Sequence, residues 1–387
     1  MTFVVELQAS TAESIQQRVY DVVDSRKNSV VQVFAAISRE DNKGNTEANQ
    51  RSKNNNLLFV ASGFAISKEG HILTNTSITY GADRVWIEFK GIEYKCEIIG
   101  HDLVTNLSIL KMKEMPENLD YVQMSENAPL PPVGSFAVAI TRQIGLPPSP
   151  LLGMVLGHNI RIANRMLPTT YLRVDIPSET GESGAPVYDF KGELVGVVVT
   201  SLPDVRSSFV IPVRAIRRVR DQILFSDKPQ YAYFGVQATT ALDKQKNRYI
   251  MIQQIKEGSP AERAGLQIKD LIQKIGDTKI HDERDLRDAL FFLHPEQKVD
   301  VTVLREGETK TLTVKVGKRE IPEPEGKRNA ARKAAIPGEA VDLRQAPLQP
   351  DATTLPKQSP QAPANEQKTN RSETNSSNPS QESSTAN

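Results

Sequence analysis

The chain has 387 residues, 48 Lys and Arg against 47 Asp and Glu, and a formal net charge of +1. That length accommodates two or three folded units, and the even balance leaves no strong field to draw in nucleic acid, an anionic membrane surface or an acidic substrate. A lone cysteine, Cys96, excludes an intramolecular disulfide and a thiolate metal cage, and no run approaches the roughly 18 to 20 apolar residues of a membrane-spanning helix.

The first residues, Met-Thr-Phe-Val-Val-Glu-Leu-Gln, put no basic region ahead of an apolar one. The chain as read is therefore expected to be cytoplasmic, or to be an exported protein whose start is processed or misassigned. Ile15, Val19, Val22 and Val23 recur at i, i+4, i+7 and i+8, which predicts a leading amphipathic helix over Ser10 to Ser25. From Asn28 the pattern turns to short β-rich runs: Val30 to Ile37, Leu57 to Ile66, His71 to Asn75, Arg84 to Phe89, Glu93 to Ile99 and Leu107 to Met112. Turns such as Lys68-Glu-Gly and Lys90-Gly separate them, the spacing of an all-β barrel or sandwich that closes near Met115. Cys96 lies inside one of these runs and reads as a small buried hydrophobe. The stretch from Asp41 to Asn56 has no apolar side chain larger than alanine and reads as a surface loop.

A second set of strands is expected at Ser135 to Ile140, Leu151 to Ile160, Thr170 to Asp175, Glu193 to Ser201 and Ser207 to Ile211, ending in a helix from Val213 to Leu224. Arg214, Arg217, Arg218 and Arg220 make one face of that helix basic, which reads as a solvated face. A third unit opens near Lys228, with strands at Tyr233 to Ala238, Arg248 to Ile255 and Val299 to Leu304. In Ser259-Pro-Ala-Glu262 the serine and the glutamate satisfy free backbone NH groups of a helix start, the proline fits its first turn and Gly265 can end it. A second helix, Asp282 to Leu293, sets Leu286, Leu290 and Leu293 on one side and Asp285, Arg287 and Asp288 on the other. After Arg319 come nine of the 24 prolines, no aromatic residue and an ending rich in Ser, Asn, Thr and Gln. Such a segment buries too little apolar area to offset the entropy of ordering and is expected to be disordered.

The segment with most chemistry is Thr180-Gly-Glu-Ser-Gly-Ala-Pro-Val187. A serine between glycines permits a tight turn that exposes its hydroxyl and aims the NH groups of Gly181 and Ser183 at one point, an oxyanion hole. An ordinary turn between strands has the same composition. Context adds Ser62-Gly-Phe-Ala-Ile, Gly70-His-Ile-Leu-Thr-Asn75 and Gly100-His-Asp-Leu-Val-Thr-Asn-Leu-Ser-Ile-Leu-Lys111, all in order. Together these four motifs resemble the HtrA/Deg (high-temperature-requirement) family of trypsin-like serine proteases, from about Ser29 to Val316.

The resemblance implies a mainly β fold: a chymotrypsin/trypsin-like double β-barrel, then an α+β PDZ domain, then a disordered C-terminal tail. The expected division is a helix or leader over 1–27, a protease-homology domain over 28–225 split near 115–125, a PDZ domain over 228–319 and the tail over 320–387. Carried over by position, Ser183 falls on the family's nucleophile, and Gly181 and Ser183 on its oxyanion donors. The general-base histidine falls on Ser77 and the orienting aspartate on Asn106. A serine hydroxyl cannot take a proton near neutral pH, and an asparagine carries no charge to stabilise an imidazolium. Loss of a triad member costs on the order of 10^4 to 10^6 in turnover. His71, His101, His158, His281 and His294 hold no position that the family uses. Two further departures are Glu182 and Ala185 in the serine loop, and Thr141-Arg-Gln143 in place of a Gly-Asn-Pro segment; Glu182 would disfavour an oxyanion if it pointed inward.

In the third unit, Tyr233-Phe-Gly-Val236 and Gly258-Ser-Pro-Ala-Glu-Arg-Ala-Gly265 resemble a PDZ domain. The resemblance implies a groove in which the loop of Tyr233, Phe234, Gly235 and Val236 receives a peptide carboxylate and Leu286 and Leu290 line an apolar wall, unless those leucines are simply core. The expected function is a catalytically impaired protease homologue, a regulatory scaffold for peptides, C-termini or unfolded segments, with a homo-oligomer or a hetero-oligomer with active relatives as possible assemblies. The alternative is an active serine endopeptidase that uses Ser183 with a non-standard base, and a third reading is a structural barrel whose groove is filled by its own chain. No cofactor, metal, nucleic acid or membrane span is expected.

Overall fold

The computed structural model describes residues 2–38, 56–162, 165–177, 181–202, 206–226, 228–242, 248–322 and 340–341. All lie in a compact unit that runs from Met1 to Ala346. The polar stretch expected as a surface loop and nearly all of the tail expected as disordered fall outside the described residues.

The chain opens with α1 (Thr2–Arg26). The helix is longer than its periodicity suggests; near its C-terminal end Val22 is buried and Val19 packs beside it, whereas Ile15, expected on the same face, is exposed. Arg26 fixes that end by donating from Nε to the carbonyl of Gly192 at 2.9 Å, with its guanidinium over the ring of Tyr188.

Six strands make the first barrel: β1 (Val30–Ser38), β2 (Asn56–Ala65), β3 (His71–Asn75), β4 (Arg84–Phe89), β5 (Ile92–Asp102) and β6 (Leu107–Met112), with the short helix α2 (Thr76–Thr79) after β3. Their order is β1-β4-β5-β6-β3-β2, and β1 pairs with β2 to close the ring. Alternate β-branched and aliphatic residues point inward, so Val31, Val33, Ala35 and Ile37 of β1 meet Ile72, Ile87 and Leu110 in one dry core. Cys96 is half-buried on β5, where burial pushes its thiol up to about 12 and keeps it unreactive. His101, near the end of β5, packs edge-on against Tyr80 at 5.3 Å and shares a hydrogen bond with Ser108 at 3.2 Å. Burial pushes its imidazolium down to about 4.

The second barrel is the closed ring β10-β11-β12-β9-β8-β7. It consists of β7 (Phe136–Thr141), β8 (Ser149–Ile162), β9 (Arg165–Val174), β10 (Pro186–Tyr188), β11 (Leu194–Leu202) and β12 (Ser207–Pro212), followed by α3 (Val213–Phe225). β8 and β9 run well beyond the lengths expected, because their outer halves form a hairpin that rises off the barrel and meets the third unit.

That unit contains β13 (Ala232–Tyr233), β14 (Val236–Leu242), β15 (Arg248–Ile255), α4 (Pro260–Arg263), β16 (Leu271–Ile275), β17 (Thr278–Lys279), α5 (Glu283–Phe292), β18 (Lys298–Arg305), β19 (Glu308–Lys315) and β20 (Gly317–Lys318). Its sheet has the order β14-β15-β16-β18-β19, and β13 pairs with β20. A two-residue strand, β21 (Ala340–Val341), pairs with Leu58 and Phe59 of β2. The caps form as expected: the Ser259 hydroxyl accepts from the NH of Glu262, and Asp282 accepts from the NH groups of Arg284 and Asp285. Asp270, 1% exposed, takes two bonds from Arg305 at 2.7 and 2.8 Å, and Arg305 also donates to the carbonyl of Gly265. This clamp ties β18 to the end of α4.

The arginines of α3 are engaged within the molecule. Arg214 bonds Asp288, Arg217 bonds the carbonyl of Ser125, and Arg220 bonds Asp221. Arg218 lies between the rings of Tyr231 and Phe291, at 5.0 and 4.7 Å from their centroids.

Two outcomes follow for stability. Arg305→Ala leaves a buried carboxylate without its cation and should cost about 3–5 kcal/mol in urea unfolding of the third unit. Unfolded imidazole takes its proton near 6.5, whereas folded His101 takes it only near 4. Stability should therefore fall as pH drops from about 6.5 to about 4, by roughly 2–3 kcal/mol, and His101→Gln should flatten that slope in pH-dependent unfolding curves.

Candidate active site and peptide groove

Where the two barrels meet, β2 runs against the turn Gly181-Glu-Ser-Gly184. Gly181 and Gly184 have φ of +92° and +85°, the left-handed region that favours glycine. A Cβ on Gly184 would also collide with the carbonyl oxygen of Ser62. Ser62 joins the barrels: its NH donates to the Ser183 carbonyl at 2.9 Å, and its hydroxyl donates to the Gly181 carbonyl at 3.1 Å while accepting from the NH of Arg142 at 2.9 Å. Thr74 holds the Ser62 carbonyl at 2.9 Å.

Ser183 is 4% exposed. Its hydroxyl oxygen accepts a hydrogen bond from Nδ2 of Asn75, at the end of β3. The same Nδ2 donates to the carbonyl of Val198 at 3.3 Å. A carbonyl can only accept, so Val198 fixes which end of the amide faces Ser183, and that end is a donor. Asn75 thus occupies a lone pair of the serine oxygen and offers it no proton acceptor. Nothing in the sequence marked Asn75 beyond its place at the end of Gly70-His-Ile-Leu-Thr-Asn75, two residues before Ser77.

Ser77 and Asn106 come together. Ser77 lies on α2 and is buried, and its backbone NH donates to Oδ1 of Asn106 at 2.8 Å. Asn106 adopts φ +63°, a conformation that asparagine tolerates better than most residues. Its Nδ2 donates to the Val199 carbonyl at 3.1 Å, and its own carbonyl receives the NH of Thr76 at 3.1 Å. An amide therefore spans α2 and β11 at the point where the resemblance calls for a carboxylate.

Glu182 is directed to the second barrel. Its Oε1 accepts from Thr141 Oγ1 at 3.1 Å and from Gln143 Nε2 at 3.0 Å. The two departures noted in the sequence thus meet in space, and residues 141 and 143 hold the carboxylate that residue 182 introduces. Ala185, which departs from the family's pattern beside Glu182, is fully buried in the second barrel's core.

The histidines bond elsewhere. His71 pairs with Ser67 at 2.8 Å at the far end of β3, and His158 with the carbonyl of Pro131 at 2.8 Å. His101 pairs with Ser108 as described. His281 and His294 donate from their backbone NH groups to Asp285 and Gln297. Behind Asn106, Asp102 is 2% exposed and receives the hydroxyls of Thr105 and Tyr231 and the NH of Val104. Burial raises its carboxyl above the usual range, and the donors around it pull the other way.

In the third unit, Tyr233 and Phe234 precede Gly235, whose φ is +81° and whose Cα approaches Ser259 too closely for a side chain. Val236 begins β14, which stands at the end of its sheet. Leu286 is buried and Leu290 packs beside it in the cluster that holds Phe234 and Val236. The opposite side of α5 docks on β8 and β9: Asp288 accepts from Thr169 Oγ1 at 2.5 Å and from the NH of Thr170 at 2.8 Å, and Glu283 bonds Arg161 at 2.9 Å. Leu286 and Leu290 lie instead on the side of α5 that packs on the third unit's own apolar cluster, which also holds Val236 and Ala238 of β14. Among the described residues no group of three or more His, Cys, Asp or Glu could hold a metal ion, and no helix is long and apolar enough to cross a membrane.

Comparison with known proteins agrees with both halves. Residues 61–197 match the trypsin-like peptidase domain family and residues 232–316 the PDZ domain family. The chain is 29% identical over 272 residues to a probable periplasmic serine endoprotease, DegP-like, of Pseudomonas fulva, covering 67% of this chain and 56% of that protein. A protein of the same description from Halomonas elongata is 28% identical over 272 residues, with the same coverage. The chain thus spans little more than half the length of these relatives. Among solved structures, the HtrA-type protease AlgW with a decapeptide matches with a TM-score of 0.62 at 21% identity, over 79% of this chain and 99% of that one. A serine endoprotease from Yersinia pestis matches with a TM-score of 0.55 at 19% identity, over 78% of this chain and 98% of that one. The chain is a trypsin-like peptidase domain followed by a PDZ domain, the arrangement of HtrA-type proteases, and it is similar in sequence to DegP-like serine endoproteases.

Proposed function

We propose that this chain is a catalytically impaired homologue of HtrA-like serine proteases that works by binding peptide segments. The observation that carries the reading is the bond from the Asn75 amide to the Ser183 oxygen. A serine nucleophile needs an acceptor for its proton within hydrogen-bond reach, and the partner found is a donor. Ser77 and Asn106 in the positions of base and orienting acid support the same reading, as does the burial of Ser183. Gly181 and Gly184 keep the backbone of the serine turn, so what is missing is proton transfer rather than the turn that would stabilise an oxyanion.

Peptide binding is assigned to the groove between β14 and α5. An end strand can accept a peptide as an added strand, the loop from Tyr233 to Val236 can receive a terminal carboxylate, and Leu286 and Leu290 offer an apolar wall. The occupants this chemistry fits are C-termini and unfolded segments that end in an apolar residue. A solved structure of similar fold, an HtrA-type protease with a decapeptide, is in keeping with peptide binding, and the relatives' description as periplasmic supports an envelope location.

A fluorophosphonate probe tests the catalytic half. Labelling no greater than that of Ser183→Ala is expected for the natural chain, with labelling gained in the Ser77→His, Asn106→Asp double variant. Labelling of the natural chain that vanishes in Ser183→Ala would instead establish an active endopeptidase with an unconventional base. For the groove, a fluorescent peptide with a free carboxylate after a terminal valine should lose about tenfold or more in affinity, roughly 1.4 kcal/mol, on Leu290→Glu or on amidation of the peptide. Equal binding in all three cases, read by anisotropy, would count against the groove.

A further inference from the structure

Along α5, Glu283, Arg287 and Phe291 recur at i, i+4 and i+8 and so share one face of the helix. Partners from outside the helix fix both ends of that row. Arg161 of β8 donates to Glu283 at 2.9 Å. Phe291 packs on Tyr231, with ring centroids 5.8 Å apart, and the Tyr231 carbonyl takes the NH of Arg319 at 2.8 Å. Arg287 therefore lies between Arg161 and Arg319; it is half-buried, and they are exposed. Among the described residues no acceptor takes a hydrogen bond from the Arg287 guanidinium. Asp288, its neighbour in sequence, is taken up by Thr169, Thr170 and Arg214. Burial pushes the Arg287 cation down, and the charges of Arg319 and Arg161 push the same way while Glu283 pulls back.

We propose that Arg161, Arg287 and Arg319 form a binding site for a small doubly charged oxyanion, inorganic phosphate or a phosphomonoester. The site goes beyond the peptide-binding reading and does not depend on it. Three like charges gathered around a half-buried guanidinium repel one another, and Glu283 is the one carboxylate bonded to any of them among the described residues. A bound dianion removes that repulsion and supplies the acceptors that Arg287 lacks. Guanidinium groups suit the task because their planar fork meets two phosphoryl oxygens at once. Arg287 forms the floor, and the exposed Arg161 and Arg319 close on the ligand from either side. They belong to the second barrel's hairpin, the PDZ helix and the segment leaving the PDZ domain, so the bound anion holds that domain docked.

The test is calorimetric titration of the full chain with inorganic phosphate and, separately, with glycerol 1-phosphate, each against chloride at constant ionic strength so that general screening cancels. One of the two should bind at a single site at least about tenfold more tightly than chloride, and the tighter identifies the source of the phosphate. Arg287→Gln should weaken that binding about tenfold and Arg319→Gln about three- to fivefold. The thermal unfolding midpoint of the natural chain should rise with the ligand, as it does for any molecule that binds only the folded state, and that of Arg287→Gln should not. Without ligand, Arg287→Gln should unfold no lower than the natural chain, because it removes repulsion. Binding of both phosphates no tighter than chloride overturns the site. So does an Arg287→Gln chain that binds as the natural one does, and a lower midpoint in that variant would then assign the arginine to packing alone.

Discussion

The contact on which the rest depends is the approach of β2 to the serine turn. Gly184 passes so close to the Ser62 carbonyl that only a residue without a side chain fits, and Ser62 uses both its NH and its hydroxyl to hold the turn. Through Ser62 the same few atoms reach Arg142 at the end of β7. Two barrels that each have a core of their own are thereby locked into one register. Ser183, Asn75, Ser77 and Asn106 owe their places to that lock, since they lie on β3, α2 and the loop before β6 on one side, and on the turn before β10 on the other.

A second buried polar group binds the PDZ domain to this frame. Arg218 stacks between Tyr231 and Phe291 and donates to the carbonyls of Gln230 and Leu293. Tyr231 in turn donates to Asp102, whose other partners lead to the loop of Asn106. Burying an arginine and an aspartate is costly unless their hydrogen bonds are satisfied; here groups from the linker, the end of the PDZ helix and the first barrel supply most of them, while Nε of Arg218 is left without a partner. The joint therefore closes only when all three are in place. The arginines of α3 read from sequence as a solvated face; three of the four instead serve this and neighbouring contacts to the rest of the chain.

Much of this was legible beforehand because the signals were local. Alternation of apolar residues marked every strand of the two barrels except β10 within a few residues, and the capping serine and aspartate marked the starts of α4 and α5. Where packing ran against local pattern, the reading slipped. Ile15 shares the periodicity of Val22 yet is exposed, because burial within α1 depends on where the barrel surface lies and not on the period alone. The hairpin of β8 and β9 is longer than its apolar core requires, because it serves the PDZ domain. β10 has only three residues and β19 is mostly polar, so neither carries a strong strand pattern, and each is held by its neighbours in the sheet.

By itself the sequence determined the order of most elements, the absence of a disulfide framework, and a serine set in a glycine-containing turn. Those are properties of composition and short-range spacing, whereas the roles read for Ser77 and Asn106 came from the resemblance. Only the tertiary structure decided that Asn75 donates to Ser183, that Thr141 and Gln143 receive Glu182, and that Arg161 reaches Glu283 beside Arg287. Each of those contacts joins residues far apart in the chain, and which donor meets which acceptor depends on how two closed barrels and a docked third domain pack against one another.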